Sequence, residues 1–203
     1  EDRNDRFALG SAVSQVNPAA SHFKIWPKRL PRELVVPRTT LWFNLEVAAQ
    51  RYPDKAAYRF FGRAFSFAQV HEQATLLAGW LQNAGCGAGD RVAVFMQNCP
   101  QFPTACYATW RANAVVVPVN PMNRAEEFKH YLSDPGTRIV ICSADLAPIV
   151  HAANDALPEA QRVRQVLIAR YSDALPEAMD AEQAPSAATL QWLRGVPPLP
   201  ATT

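Results

Sequence analysis

Residues 89–123 read GDRVAVFMQNCPQFPTACYATWRANAVVVPVNPMN, and the texture of this stretch decides the fold. Two short apolar runs, Val92 to Met96 and Val115 to Val119, are rich in β-branched residues. Neither alternates with polar residues, so each reads as a strand covered on both faces. Between them a segment opens at Asn98, carries Pro100 and Pro103 in its first turn, and continues with helical spacing. A strand, a helix and a second strand of this length make one βαβ unit, whose crossover is right-handed in nearly all proteins. The unit repeats downstream to about residue 170. The pattern predicts an α/β fold: a mostly parallel sheet with helices on both faces, preceded by an extended arm and a β-hairpin.

Within the unit, Asn98 with Gln101 is the expected cap of the crossover helix, which packs through Phe102, Ala105, Cys106, Thr109 and Trp110. Asn113 stands at the exit of that helix, where a left-handed residue is common and Asn tolerates the conformation. After the second strand come Asn120-Pro121-Met122, then Asn123 with Glu126 as the expected cap of a helix carrying Phe128, Tyr131 and Leu132. Asp134-Pro135-Gly136 stops it. A strand from Arg138 to Cys142 follows. A helix from Ser143 puts Leu146, Ile149, Val150, Ala153 and Leu157 on one face before Pro158, and a last strand runs from Arg164 to Arg170.

Upstream, residues 1–38 carry Pro18, Pro27, Pro31 and Pro37 without periodicity, which predicts an extended N-terminal arm anchored by Phe23, Ile25 and Trp26. Thr39 or Thr40 can cap a helix through Trp42, Leu45, Ala48 and Ala49 that ends at Tyr52-Pro53. Two runs, Ala56 to Phe61 and Ala64 to Phe67, flank Gly62-Arg63, read as a two-residue hairpin turn with Gly first. Ser66 and Gln69 form a capping-box pattern for a helix along Val70, Ala74, Leu77, Ala78 and Leu81, which Gly85 stops. Residues 39–170 therefore make one α/β subdomain. Beyond Tyr171, a Pro/Ala-rich stretch to residue 203 predicts a surface excursion with one turn of helix near Thr189 to Leu193.

Composition narrows the function classes. A net charge of +2 over 203 residues carries no nucleic-acid footprint. No apolar run approaches the roughly 20 residues that span a bilayer. The sequence starts at Glu1 rather than Met and ends in Ala201-Thr202-Thr203 without a terminating element, which gives the expectation of an excised segment. The cysteines, Cys86, Cys99, Cys106 and Cys142, lack metal-ligand spacing and read as buried reduced thiols, so no metal site is expected. His71, His130 and His151 fall on predicted helices with no nucleophile beside them, so no catalytic residue is assigned. The glycines at 85, 87 and 89 precede a strand, whereas a phosphate cradle needs them after one. They read as a helix stop and a turn. The aromatics Phe60, Phe61, Phe65, Phe67, Phe102, Tyr107 and Trp110 could line an acyl pocket and more often form core.

The order of residues resembles the adenylate-forming acyl-CoA synthetases. The resemblance rests on Phe65-Ser66-Phe67, Gly85, the run Gly89-Asp90-Arg91-Val92-Ala93-Val94, Asn98, the run Ala114-Val115-Val116-Val117-Pro118-Val119-Asn120-Pro121, Glu126-Glu127-Phe128 and Arg138-Ile139-Val140-Ile141. It covers roughly residues 39–170. Upstream, Trp42-Phe43-Asn44-Leu45 and Tyr52-Pro53-Asp54-Lys55-Ala56 resemble the bacterial fatty acid–CoA ligase branch. Where the family usually has Gly before the Ala-Val-Val-Val-Pro strand, this chain has Asn113.

The resemblance implies an enzyme that activates a carboxylic acid, a fatty acid in this branch, with ATP and magnesium and passes the acyl group to coenzyme A. The family's Thr/Ser/Gly-rich phosphate loop, its magnesium-holding acid and its C-terminal lysine have no counterpart in these 203 residues. This implies an N-terminal part that is inactive alone, binds none of these cofactors by itself, has the remainder of its own chain as partner, and uses residues 171–203 as a connection toward the ATP-binding core. In related synthetases the loop matching Asn120, Pro121 and Asn123 lies near the coenzyme A nucleotide, with Arg124 as a phosphate partner. The residues alone equally allow Asn98 and Asn123 to be helix caps and Arg124 a solvated first-turn residue. An aromatic-acid CoA ligase, an acyl-AMP ligase and a non-catalytic α/β interaction module stay open as alternatives. The implied location is cytoplasmic, compatible with a position peripheral to the inner membrane, and homodimerisation through the arm is one way to cover Trp26.

Overall fold

In the computed structural model, which describes residues 21–179 and 182–195, the four valine- and isoleucine-rich runs pair side by side in one direction. The strands are β3 (Arg91–Phe95), β4 (Val115–Pro118), β5 (Ile139–Ser143) and β6 (Gln165–Ala169), after the hairpin strands β1 (Ala56–Phe60) and β2 (Arg63–Ser66). Sheet order is β4-β3-β5-β6 and every neighbouring pair is parallel. The predicted α/β architecture is therefore the observed one. The described residues divide into two compact units, with the division between Thr39 and Thr40.

The unbroken apolar texture of β3 and β5 has a direct cause. Alternate residues feed two separate cores, one on each face of the sheet. Val92, Val94, Ile139 and Ile141 join the core built by α1 (Leu41–Arg51), α2 (Phe67–Asn83) and α3 (Gln101–Arg111). Ala93, Phe95, Val140 and Cys142 join the opposite core, built by α4 (Ala125–Ser133) and α5 (Ala147–Asp155). On that side Phe95 and Phe128 stack with ring centroids 4.5 Å apart, both fully buried. The outer strands differ from expectation. β4 is an edge strand, with Val115 48% exposed, so it is not covered on both faces. An edge is also where Pro118, lacking an N–H, is tolerated in a strand.

Local signals explain most boundaries. Thr40 caps α1 by accepting the Phe43 N–H. Ser66 and Gln69 make both halves of a capping box at α2. At the other end of α2, Gly85 is left-handed at φ 85°, the Gly85 N–H donates to the Gln82 carbonyl and the Cys86 N–H to the Leu81 carbonyl. This is a Schellman ending. The glycines lead into the amino end of β3, as a helix stop and turn should. Asn113 is left-handed at φ 61°.

Several expected details move. The hairpin turn is Phe61-Gly62, both at positive φ, because Phe60 pairs with Arg63; Gly is second, as a type I′ geometry requires. Phe67 opens α2 rather than closing β2. Ser143 ends β5, and α5 starts at Ala147 behind Leu146. Beyond β6 the chain re-enters the first core through a short 3-10 turn, Tyr171–Ala174, with Tyr171, Ala174 and Leu175 buried. It then forms α6 (Ala187–Arg194), longer than the single turn expected, with Leu193 buried in the same core.

In the N-terminal unit, Phe23 is buried, with Trp26 edge-on at 5.6 Å and the Arg32 guanidinium 5.2 Å from its ring centroid. Ile25 is 86% exposed and does not serve as the anchor expected of it. The rest of the predicted arm, residues 1–20, and residues 180–181 and 196–203 of the predicted connection lie outside the described residues. Among the described residues no helix is long and apolar enough to cross a membrane.

Candidate functional site

Topology locates the site before any side chain is considered. Leaving the carboxyl end of β3, the chain turns to α3 on one face of the sheet. From β4 and β5 it turns to α4 and α5 on the other. The backbone therefore parts on either side of β3, and such switch points are where open parallel sheets hold ligands.

The two crevices beside β3 are not equivalent. Between β3 and β5, the Tyr171 hydroxyl accepts the Gln97 N–H at 3.0 Å and fills the gap. The Ser143 side chain is buried facing it, and one carboxylate oxygen of Asp145 is buried without a hydrogen-bond partner among the described residues. Burial pushes the Tyr171 hydroxyl up to about 12, opposed by the Ser143 side chain and the Gln97 amide. Burial likewise raises the Cys99 thiol, opposed by the amides of Phe102 and Gln101, and the thiol lies 3.6 Å from the Met96 sulfur.

Between β3 and β4 the crevice is open. A cleft of about 460 Å³ lies there, walled by Gln97 and Asn98 from the end of β3 and by Asn120, Pro121 and Met122 from the end of β4, with Phe102 on its floor. Of the four residues predicted for the coenzyme A vicinity, Asn120 and Pro121 line this cleft. Asn123 and Arg124 do not line it; they stand beyond it at the start of α4. The loop holds its own shape. Asn120 Oδ1 accepts the Met122 N–H and the Asn120 carbonyl accepts the Asn123 N–H, each at 3.0 Å.

The helix caps fall one or two residues from where they were expected. Pro100, not Asn98, is the N-cap of α3, so Asn98 remains exposed in the cleft wall. Arg124, not Asn123, is the N-cap of α4. Its backbone N–H donates to the Glu127 carboxylate at 2.8 Å, and a guanidinium, having no acceptor, cannot complete the box. The Glu126 pairing expected from sequence is thus taken by Glu127. Its backbone is committed to the cap, and the Arg124 side chain is exposed.

The cleft offers neutral hydrogen-bonding groups and apolar surface: the side chains of Gln97, Asn98 and Asn120 with Phe102, Pro121 and Met122. Among the described residues that line it there is no histidine, thiolate or carboxylate. The three helical histidines sit elsewhere, His71 with its ring tilted against Trp42 at 4.9 Å. Among the described residues no three His, Cys, Asp or Glu side chains converge as a metal site, and the four cysteines are free and buried. Most of the aromatic set resolves as core: Phe65 is buried, Phe60, Phe61, Phe67, Phe102 and Tyr107 are partly buried against the first core, with Phe102 also lining the cleft, and Trp110 is half-buried. Residue-by-residue reading missed Tyr171, because nothing in a Tyr after a strand signals that its hydroxyl will reach the end of another strand 74 residues earlier.

Comparison with known proteins matches this geometry to one family. Residues 45–201 match the family described as AMP-binding enzyme. The chain is 34% identical over 151 residues to the long-chain-fatty-acid–CoA ligase of Bacillus subtilis, covering 74% of this chain and 26% of the relative. It superposes on a Mycobacterium tuberculosis fatty acyl CoA synthetase with TM-score 0.59 at 29% identity, covering 77% of this chain and 28% of that one. On the N-terminal domain of FACL13 from the same organism the TM-score is 0.60 at 28% identity, over 81% of this chain and 38% of that one. The chain spans about a quarter of the length of the curated relatives it matches. With the family match running from within α1 past α6, over more than three quarters of its residues, the chain belongs to the AMP-binding enzyme family.

Proposed function

We propose that this chain is the N-terminal α/β part of an ATP-dependent fatty acid–CoA ligase. The observation that carries the reading is the open cleft between the carboxyl ends of β3 and β4, in a chain 34% identical to a long-chain-fatty-acid–CoA ligase. In such a ligase the fatty carboxylate attacks the α-phosphorus of ATP and displaces pyrophosphate. The thiol of coenzyme A then attacks the acyl-adenylate, releasing AMP. The role of this part is to bind and orient. Asn120 and Pro121 present a self-braced loop that would lie beside coenzyme A, and Asn123 and Arg124 would border its nucleotide, with the exposed guanidinium available to a phosphate. Magnesium and the triphosphate would be held by residues other than the described ones, since charge neutralisation on phosphates needs groups this cleft does not contain. Four buried free thiols support a cytoplasmic location.

The experiment compares the 203-residue chain with the full-length protein that carries it, following fatty acid-dependent pyrophosphate release and thioester formation. The expected result is turnover by the full-length protein and none by the chain alone. Pyrophosphate release by the chain alone, or a full-length protein indifferent to fatty acids, would overturn the reading.

A further inference from the structure

At the opposite, amino-terminal end of the sheet, the strand register sets three arginines in a row. Val92 pairs with Ile139 and Ile139 with Gln165, so Arg91 at the start of β3 and Arg138 and Arg164, the residues just before β5 and β6, gather at the amino ends of three adjacent strands. Neighbouring parallel strands lie about 4.8 Å apart, and like charges directly opposite one another are destabilising. Among the described residues none of the three guanidiniums forms an ion pair. Arg91 donates only to the carbonyls of Pro135 and Gly89, and Arg138 only to those of Thr137, Ala160 and Gln161. The Arg164 side chain makes no hydrogen bond among the described residues.

All three line one cavity of about 180 Å³, lined also by the Gly85-Cys86 turn and by Gly136. Asp90 shares the wall, but its Oδ2 already accepts the Gly87 N–H at 2.8 Å. The cavity is smaller than the roughly 300 Å³ at which pockets for drug-sized ligands begin. Two of its guanidiniums are already fixed by backbone carbonyls, so an anion entering the cavity meets donors that need little further ordering.

We propose that this cavity is an anion site for a phosphate-sized oxyanion, free or as the terminal phosphoryl group of a small metabolite. It lies at the far end of the sheet from the β3/β4 cleft, so it is independent of the proposed ligase site. Arg164 is the residue that closes on the ligand, with Arg91 and Arg138 as pre-set partners.

The test titrates inorganic phosphate into the 15N-labelled 203-residue chain at constant ionic strength, with chloride as the balancing ion. Saturable amide shifts are expected at Gly85, Gly136 and Arg164. Arg164→Gln should weaken the apparent affinity about tenfold, in line with the loss of one charge-assisted contact. Asp90→Asn keeps an acceptor for Gly87 and removes the nearby negative charge, so it should tighten binding. Arg59→Gln, on the exposed side of β1, should leave the titration unchanged. Shifts that never saturate, or an apparent affinity left unchanged by Arg164→Gln in a protein whose spectrum is otherwise unaltered, would overturn the site. Sedimentation with phosphatidic acid vesicles without any response to inorganic phosphate would overturn it too, pointing to a headgroup surface instead.

Discussion

The Tyr171 hydroxyl accepts the backbone N–H of Gln97 at 3.0 Å, tying the segment after β6 to the carboxyl end of β3. That bond closes one of the two switch-point crevices and leaves the other open. Tyr171→Phe keeps the ring against Trp192 and removes the hydroxyl alone. The expected cost is about 1 kcal/mol, the usual net worth of one hydrogen bond, because Gln97 is exposed enough for water to replace part of it. Urea denaturation of the two proteins measures it.

The same hydroxyl sets an alkaline limit. Burial raises it from 10.0 in the unfolded chain to about 12 in the folded one, so folding favours the neutral form. Its contribution is complete below pH 10 and lost as the pH climbs from about 10 to about 12. Burial acts in the same direction on Cys142, raised from 9.0 to about 12, and on Cys106, raised from 9.0 to about 11. Denaturation midpoints should therefore fall from about pH 9 upward, and the fall above pH 10 should be shallower in Tyr171→Phe. At pH 8, alkylation followed by mass spectrometry should label Cys106 and Cys142 only after urea is added.

Phe128→Ala should be among the most damaging single changes. The side chain is fully buried and stacks on Phe95, so truncation opens a cavity between α4 and the sheet. Loss of about 3–5 kcal/mol is expected from large-to-small aromatic substitutions in cores. Thermal unfolding of the variant against the parent chain gives the value.

Asn113 occupies the left-handed region at φ 61° between α3 and β4. Asn113→Ala should cost about 1 kcal/mol, because a Cβ without a compensating polar group is disfavoured there. Asn113→Gly should be neutral or slightly stabilising. Equal stability of the Ala and Asn forms would remove the conformational argument.

For the proposed ligase role, Arg124→Ala in the full-length protein should raise the KM for coenzyme A several-fold, with little change in the KM for the fatty acid. One phosphate contact from an exposed guanidinium is worth roughly 1 kcal/mol. Since Arg124 only caps α4 through its backbone, the variant should fold normally, and steady-state kinetics with coenzyme A varied decide the point.

Much of this fold was legible because its signals are local. Ser66-Gln69 and Gly85 mark the two ends of α2 through hydrogen bonds that span only a few residues. The errors arose where two adjacent residues offered the same local solution. Asn98 and Asn123 are good caps by type, yet Pro100 and Arg124 hold those positions, since the helix start is set by where the strand before it ends. Phe61-Gly62 displaced Gly62-Arg63 as the turn because cross-strand register, a tertiary quantity, places Phe60 opposite Arg63.

The sequence by itself determined the elements and their direction: apolar runs of β-branched residues joined by amphipathic helices can bury both faces only as a parallel sheet. Strand order was decided only in three dimensions, and with it the exposure of β4, the row of Arg91, Arg138 and Arg164, and the reach of Tyr171 to Gln97. The physical reason is range. Caps, turns and periodicity act between residues a few positions apart, whereas a crevice, a charge row or a plugged gap exists only once strands distant in sequence have become neighbours.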